Sequence, residues 1–363
     1  MHPDFSSLVP PLSLAVDLRC VGPVMLACAD KDLTRLDKKL ARYQAQALAQ
    51  NTTVTYRTAV MAFLRFCIFF GFTFLPPTDV TLARFVAFQS ATCSFRSMKV
   101  YLFGIREWVL RMGHDFASWS MRYPVYRAMM GLKRIMGDAA RQKMAVTPEL
   151  LLAIYHVLDF SNENDVWLWA AMLVAFYGMF RKDNVTVGKA SAFNPRANLC
   201  RGDLRWYRGQ LWICVKHSKV IQFNQRKHWV PLLPVPNSPL CPLRAVQRAF
   251  RFAPHAERDS PAFMFVIGGR RGPMTHTMFV KAFKAACARA GVDATLYSGH
   301  SFRRGGATFA FRLGADHSLI KMIGDWRSDA YLLYEQTTNA RRLALPKMMS
   351  DAAARISRLA IAR

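Results

Sequence analysis

The chain has 363 residues and carries 50 lysines and arginines against 23 aspartates and glutamates, a formal net charge of +27. Hydrophobic residues make up 52% of the sequence and aromatic residues 12%, so a disordered or fibrous chain is excluded, and the length predicts two domains. A basic surface of this size predicts a polyanionic partner, either nucleic acid or an anionic membrane.

The N-terminal part of the chain shows helical patterning. Residues 1–31 contain four prolines without sustained periodicity, and we expect a flexible arm there. Over residues 32–136 apolar residues recur at helical spacing, which predicts a small all-helical domain. Its helices are expected at about 32–50, 54–70, 78–88, 95–112 and 125–135. Asn51, Thr52 and Thr53 offer a cap for the second helix.

A polar, mixed segment at residues 137–146 predicts a linker, and Thr147, Pro148 and Glu149 after it form a strong helix start. Residues 147–363 then combine helices with three short, β-branched and aromatic segments that predict a small sheet. The strands are expected at about 205–207, 211–215 and 228–232, and the helices at about 148–159, 164–181, 241–252, 276–290, 301–313, 317–324, 328–335 and 348–360. The predicted fold class is mainly α with a small β-sheet, as an N-terminal helical bundle plus a C-terminal mixed α+β domain.

Membrane insertion and export are not predicted. The longest apolar run, Val166 to Phe180, has fifteen residues, fewer than the roughly 20 that a membrane-spanning helix needs, and is expected to form a buried core helix. The N-terminus lacks the basic region and apolar stretch of a signal peptide. The eight cysteines are scattered without a CxxC pair, which predicts reduced, largely buried thiols in an intracellular protein, with neither a zinc site nor a disulfide framework.

The excess positive charge is concentrated in the second domain. Residues 201–312 hold 19 lysines and arginines against 4 aspartates and glutamates, which favours a docking groove for an anionic partner around the site. His300 and Arg303, three positions apart, share one helix face, where an imidazole and a guanidinium together form a phosphate clamp. Gly305 and Gly306 after them permit the close approach of another backbone.

Further features stand in a fixed order around this segment. Arg181 ends the long apolar helix, Gly324-Asp325-Trp326 follows the HxxR, and Tyr334 lies eight positions after the tryptophan. An arginine, a late HxxR, a Gly-x-Trp and a tyrosine in this order resemble the tyrosine recombinase (phage integrase) family over about residues 148–345. The strings around His300 and around the tryptophan look most like the recombinases of eukaryotic mobile elements, the DIRS-type and Crypton groups.

The resemblance implies an N-terminal helical core-binding domain, a C-terminal catalytic domain and a role for each candidate residue. Arg181 and Arg303 hold the scissile phosphate together with His300. Trp326 stands where many members have a second histidine, and its implied role is packing plus an indole N–H donor. Many members also have an acidic residue three positions after the first arginine, where this chain has Asn184, with Asp183 one position earlier.

The implied nucleophile is Tyr334, and Tyr331, three positions earlier, is the alternative. The implied general acid is Lys219, in the loop between the second and third strands, with Lys216 as the alternative. A free tyrosine phenol has a pKa of about 10 and is a weak nucleophile at neutral pH, so cations around the phosphate favour the phenolate and stabilise the developing charge. The lysine gives a proton to the leaving 5′ oxygen. The intermediate implied by the resemblance is a 3′-phosphotyrosine.

No metal and no other cofactor is implied, and the sequence offers no carboxylate cluster for one. The implied partners are double-stranded DNA and further copies of the chain, as a tetramer on two DNA sites, with no membrane. The helix at 348–360 would pack on a neighbouring protomer. We expect the protein inside the cell with DNA, and in the nucleus if the host is eukaryotic. Two alternatives are a relaxing enzyme like a type IB topoisomerase and a DNA-binding protein whose catalysis has decayed.

Overall fold

The computed structural model describes residues 33–138, 142–221, 226–335, 343 and 346–353. The chain divides into two compact units, Met1–Ala140 and Arg141–Arg363. The division falls inside the segment 137–146 that the sequence assigns to a linker. The predicted N-terminal arm, residues 1–31, lies outside the described residues.

The described part of the first unit is helical. Its α-helices are α1 (Leu33–Gln46), α2 (Gln50–Phe70), α3 (Asp79–Gln89), α4 (Phe95–Arg111) and α5 (Tyr123–Met136). The core contains Phe63 and Phe85, whose rings meet edge to face at 5.3 Å, and Met98 and Ile105 from α4. Helix α4 lies close to α2 because Gly104 has no side chain: a Cβ there would sit 3.0 Å from the Cα of Tyr56.

The cap expected at residues 51–53 is wrong, because α2 begins at Gln50 and these residues lie in its first turn. The threonine hydroxyls of this turn bond backward along the helix instead of capping it. Thr55 Oγ1, for example, donates to the carbonyl of Asn51 at 2.8 Å. Such i→i−4 bonds are how threonine is accommodated inside a helix.

Helix α2 is, within the described residues, the one helix long and apolar enough to cross a membrane by length and composition, with a mean hydropathy of 1.3 over its best window. One face of it, with Phe63, Phe66 and Cys67, is buried in the core of the bundle. Ile68 and Phe69 at its C-terminal end are exposed. A helix that covers a core passes the same test of length and composition.

The second unit is built on a buried helix. Its α-helices are α6 (Pro148–Val157), α7 (Glu163–Tyr177), α8 (Lys182–Val185), α9 (Pro242–Arg251), α10 (His276–Arg289), α11 (Ser301–Arg312) and α12 (His317–Ile323). All residues of α7 from Val166 to Phe176 are buried, which confirms the predicted core helix. The helix stops at Tyr177, earlier than the predicted 181, because the chain turns at Gly178 and at Met179, whose φ is +50°. Arg181 therefore opens the short helix α8 and does not end α7.

The predicted three-stranded sheet is present, with strands β1 (Leu204–Tyr207), β2 (Gln210–Val215) and β3 (His228–Leu232) in antiparallel order. A second hairpin, β4 (Met264–Ile267) with β5 (Arg270–Pro273), was not predicted. Its turn residues Gly268 and Gly269 both have positive φ, and a Gly-Gly pair between two short segments is a recognised hairpin signal.

The C-terminal part departs from prediction in one place. Asp329–Tyr334 is a 3₁₀ helix, where an ordinary helix is expected at 328–335. Of the tail helix expected at 348–360, residues 346–353 are helical and the remainder lies outside the described residues.

Cysteines in the described part of the chain are free thiols, and five of them are buried: Cys67, Cys200, Cys214, Cys241 and Cys287. Burial raises the pKa of Cys67 and of Cys287 to about 11, so both thiols stay protonated at neutral pH. The predicted burial is confirmed for these five, whereas Cys20 and Cys28 lie outside the described residues.

Candidate active site

Helix α11 is the scaffold of the site, and two glycines let it approach other backbone closely. A Cβ at Gly305 would lie 2.2 Å from the carbonyl oxygen of Val146, and one at Gly306 would lie 2.2 Å from that of Phe176. The predicted close approach at this pair is confirmed. Because the contact at Gly306 brings α11 against the C-terminal end of α7, the side chain of Arg303 lies next to the loop that carries Arg181.

Arg303 is buried, with 3% of its surface exposed. Its Nη1 donates to the carbonyl of Met179 at 2.7 Å, and its guanidinium lies 3.6 Å from the centre of the Trp326 ring. Among the described residues Nη2 has no hydrogen-bond partner. Burial, followed by the charge of Arg181, lowers the pKa of Arg303 to about 9, while Tyr334 acts in the opposite direction. A buried cation with an unused donor is costly for the fold, and an anion placed there removes that cost.

Arg181 lies at the N-terminus of α8, where Asn184 holds its backbone. The Arg181 N–H donates to Asn184 Oδ1 at 3.0 Å, and the Asn184 N–H donates to the Arg181 carbonyl at 2.9 Å. Asp183 instead pairs with His276 at 3.0 Å, and hydrogen bonding to His276 holds the pKa of Asp183 far below its usual range. Asn184 thus fixes the arginine segment by capping and adds no negative charge.

The two arginines share one small cavity, which is lined by Phe180, Arg181, Asn184, Val215, Ser218, His228, Arg303, Ile323, Gly324 and Asp325. His228 and Asp325 were not predicted as site residues. His228 Nε2 is 2.9 Å from the carbonyl oxygen of Ile323, and Asp325 forms an ion pair with Arg226. No sequence signal identifies these two, because their partners lie about a hundred residues away along the chain.

His300 precedes α11, and its backbone N–H donates to Ser298 Oγ at 3.3 Å. Its side chain is exposed on one side. Desolvation on the protein side, followed by the charges of Arg181 and Lys182, lowers the pKa of His300 below its usual value. The imidazole is therefore neutral at neutral pH and able to donate one hydrogen bond beside the arginines.

The two tyrosine candidates have different surroundings. Tyr331 is buried and stacked on Phe311, with ring centres 6.1 Å apart and an angle of 6° between the planes. Tyr334 is partly exposed, and its ring lies 5.9 Å from Trp326 and 5.4 Å from the guanidinium of Arg304. The structure therefore brings Tyr334 to the cations of α11 and places Tyr331 in a packed cluster.

The two lysine candidates also differ. Lys219 is exposed at the tip of a tight turn that Ser218 and Ile221 close with two backbone hydrogen bonds of 3.1 Å, and Ser218 lines the arginine cavity. Lys216 Nζ lies 2.6 Å from Asp203 Oδ2 and donates to the carbonyl of Pro195 at 2.6 Å. Burial alone would lower the pKa of Lys216, but the bond and charge of Asp203 raise it above the usual value. Lys216 is thus committed to a structural ion pair.

The predicted concentration of charge around the site is only partly right. Arg244, Arg248 and Arg251 lie within the basic stretch 201–312, yet they line a separate groove of about 820 Å³ beside α9. They come together there because they share the exposed face of an amphipathic helix. A count along the sequence does not distinguish between faces of the folded unit.

The chain is similar in sequence and in fold to known recombinases and integrases. No family model matches the chain. The chain is 23% identical over 283 residues to the integrase/recombinase XerD homolog of Selenomonas ruminantium, covering 76% of this chain and 78% of that protein.

Solved structures show the fold. A lambda integrase dimer bound to a COC′ core site matches with a TM-score of 0.56 at 16% identity, covering 85% of this chain and 95% of that one. The Tn1549 transposon integrase, in complex with circular intermediate DNA, matches at 0.52 and 13%, with 85% and 97% covered. XerH recombinase in a post-cleavage complex matches at 0.52 and 15%, with 76% and 72% covered. The chain therefore has the lambda integrase fold, and the predicted fold class, mainly α with a small β-sheet, is confirmed.

Proposed function

We propose that this chain is a tyrosine recombinase that cleaves and rejoins double-stranded DNA. The observation that carries the proposal is the buried guanidinium of Arg303, whose Nη2 donor has no partner among the described residues and which lies in one cavity with Arg181. Two arginines side by side repel each other unless an anion lies between them, and a phosphodiester offers the right oxygens. The lambda integrase fold and the XerD-like relative support the same function.

The proposed reaction assigns one role to each candidate side chain. Arg181, Arg303 and His300 would bind the non-bridging oxygens of the scissile phosphate and stabilise the charge that develops on them. Tyr334 Oη attacks the phosphorus and loses its proton to solvent water, and the bond to the 5′ oxygen breaks. Lys219 gives that oxygen a proton, so a 5′ hydroxyl leaves and a 3′-phosphotyrosine forms. Attack by the 5′ hydroxyl of another strand reverses the step and releases the tyrosine.

We infer site-specific recombination for a mobile element, without a metal ion, by a tetramer on two DNA sites. Among similar structures, lambda integrase has been solved as a tetramer bound to a Holliday junction, and the Tn1549 protein is a transposon integrase. The arginines supply positive charge of the kind that metal ions supply in other phosphoryl-transfer sites. Such a protein would be located in the cell compartment that holds the DNA of the mobile element.

The test starts without knowledge of the target site. Purified protein is incubated with duplexes that contain a randomised core, the mixture is denatured in detergent, and strands that stay attached to protein are captured and sequenced. The enriched sequence is then built as a substrate nicked beside the cleavage position, so that the intermediate accumulates. The proposal expects a covalent adduct that Tyr334→Phe abolishes and Tyr331→Phe retains, with or without a chelator.

Other results would assign another function. DNA binding without any adduct from the wild type would identify a binding protein with decayed catalysis. Relaxation of plasmids irrespective of their sequence would identify an enzyme like a type IB topoisomerase. An adduct that a chelator abolishes would contradict the metal-independent reaction while leaving the cleavage activity in place.

A further inference from the structure

The stretch that opens the second unit is bonded directly to the candidate site. We name residues 143–146 the leading segment. The backbone N–H of Met144 donates to the carbonyl of Leu296 at 2.8 Å, and that of Val146 donates to the carbonyl of Ser301 at 3.0 Å. Lys143 Nζ donates to the carbonyl of Thr295 at 2.7 Å. The leading segment thus runs along the start of α11, the helix that presents Arg303.

Arg304 joins this segment to the candidate nucleophile. One of its guanidinium nitrogens, Nη1, donates to the backbone carbonyl of Lys143, and the guanidinium lies 5.4 Å from the centre of the Tyr334 ring. The side chain is half-buried. The resemblance assigns Arg304 no role, and Arg304 is part of neither the proposed phosphate clamp nor the proposed general acid.

We propose that Arg304 is a positioning residue for Tyr334, held in place by the leading segment, and that its charge favours the attacking phenolate. This inference rests on the proposed function. A guanidinium over an aromatic ring is attracted to the ring face, and the attraction grows when the phenol loses its proton, because full charges then interact. The carbonyl of Lys143 fixes one end of the guanidinium, so the position of the leading segment decides where Arg304 can meet the ring.

The charged groups that the described residues bring near Tyr334 are few enough to be separated by experiment. Arg303 and Arg304 approach it from α11. Asp325, beside Trp326, acts on Arg303. Glu335 follows Tyr334 in the chain and lies 3.8 Å from His317 of α12. Arg303 also interacts with Tyr334, but its Nη1 donates to the carbonyl of Met179 and it belongs to the proposed phosphate clamp. Arg304 is therefore the cation whose removal tests the state of the phenol without removing the clamp.

The experiment measures the rate of adduct formation on a nicked substrate at saturating DNA, from pH 6.5 to 10, for the wild type, Arg304→Gln and Arg304→Lys. Loss of the cation makes the phenolate less favourable, so Arg304→Gln should be slower by roughly tenfold at neutral pH and should reach half its maximal rate at a higher pH. Arg304→Lys keeps the charge but not the planar stacking, so it should keep the wild-type midpoint and lose roughly threefold in rate.

The matched control is Arg244→Gln, which removes an arginine that also donates to a single backbone carbonyl but lies on α9 outside the site. It should leave rate and midpoint unchanged. Lys143→Gln, which releases the leading segment from Thr295 and so lets Arg304 move away from the ring, should slow adduct formation and raise the midpoint in the same direction as Arg304→Gln. It should add nothing in the Arg304→Gln background, because both changes break one connection. Thermal unfolding of each variant checks that it is folded.

Two results would overturn the inference. In the first, Arg304→Gln keeps both the wild-type rate and the wild-type midpoint. In the second, it lowers DNA affinity while the midpoint at saturating DNA stays in place, which would make Arg304 an ordinary phosphate contact. Both of these results presuppose that the wild type forms the covalent adduct. Failure of the proposed function is a different result, in which the wild type forms no adduct at any pH.

Discussion

Replacing Arg303 with methionine should abolish cleavage and leave the protein as stable as the wild type or more so. The pKa of about 9, well below the usual range of an arginine, corresponds to a cost of roughly 3–5 kcal/mol for the charged guanidinium in the folded state at neutral pH. Methionine removes that cost and fills a similar volume. It also loses the hydrogen bond to the Met179 carbonyl and the stacking on Trp326, which together contribute about 3 kcal/mol. The free energy of unfolding should therefore be unchanged or higher by up to about 2 kcal/mol.

Urea unfolding of the wild type and of Arg303→Met measures this difference in the free energy of unfolding. The difference should also depend on pH in a defined direction. Because the folded pKa of Arg303, about 9, lies below the unfolded value, the unfolded chain binds more protons above about pH 9, and the wild type gains stability as pH rises from there. The advantage of the variant should thus be present at pH 7 and shrink above about pH 9. Inorganic phosphate should raise the Tm of the wild type more than that of the variant, since only the wild type offers the arginine pair.

The control is Arg201→Met. Arg201 is partly buried, and burial lowers its pKa as well, but to a smaller extent than for Arg303. It stacks on a ring, 4.0 Å from the centre of Phe250, and donates to the carbonyls of Ala253 at 2.7 Å and Phe250 at 3.5 Å. It serves the fold, and its loss should cost about 1–3 kcal/mol. A loss of more than about 2 kcal/mol in Arg303→Met, comparable with the control, would refute the reasoning that Arg303 is held for an anion at the expense of stability.

Three further substitutions test the site and its scaffold. Gly306→Ala should destabilise the protein by about 2–4 kcal/mol in urea unfolding, since its Cβ would meet the Phe176 carbonyl at 2.2 Å; a loss below 1 kcal/mol by the same measurement would contradict the close packing of α11. Lys219→Ala should slow cleavage by about 10²–10⁴-fold. Its activity should recover on a substrate whose 5′ bridging oxygen is replaced by sulfur, because a thiolate leaves without a proton. A variant that stays slow on this substrate would show that Lys219 is not the general acid. Lys216→Met should lower the free energy of unfolding by about 2–4 kcal/mol, because it removes the ion-pair partner of Asp203. Cleavage at saturating DNA should be unchanged. If this variant cleaved slowly and recovered on the sulfur-containing substrate, Lys216 and not Lys219 would be the general acid.

The sequence predicted those parts of the fold that depend on periodicity and local turns. Helix α7 followed from an unbroken apolar run, and the three-stranded sheet followed from short aromatic segments around a turn at Arg208 and Gly209. The close contacts of Gly305 and Gly306 also followed from residue type, since a pair of glycines inside a helix has few other uses. These features are local, and each is written in neighbouring residues.

Features that depend on distant partners were not predictable. The end of α7 at Tyr177 is an exception, because the turn at Gly178 and Met179 is local and a glycine there is a helix-stop signal; the apolar pattern, which continues to Phe180, masked it. The pairing of Lys216 with Asp203 and the stacking of Tyr331 on Phe311 join separate elements. Sequence spacing alone left both pairs of candidates open, and in the folded chain the two members of each pair have different surroundings.

The most direct test of the account is to locate the covalent bond. The adduct formed on the nicked substrate is digested with trypsin and nuclease, and the modified peptide is fragmented in a mass spectrometer. Tyr331 and Tyr334 lie on one tryptic peptide, and fragmentation between them separates the two. We predict a nucleotide attached through a 3′ phosphate to Tyr334. A nucleotide on Tyr331, or on any residue outside this peptide, would contradict it.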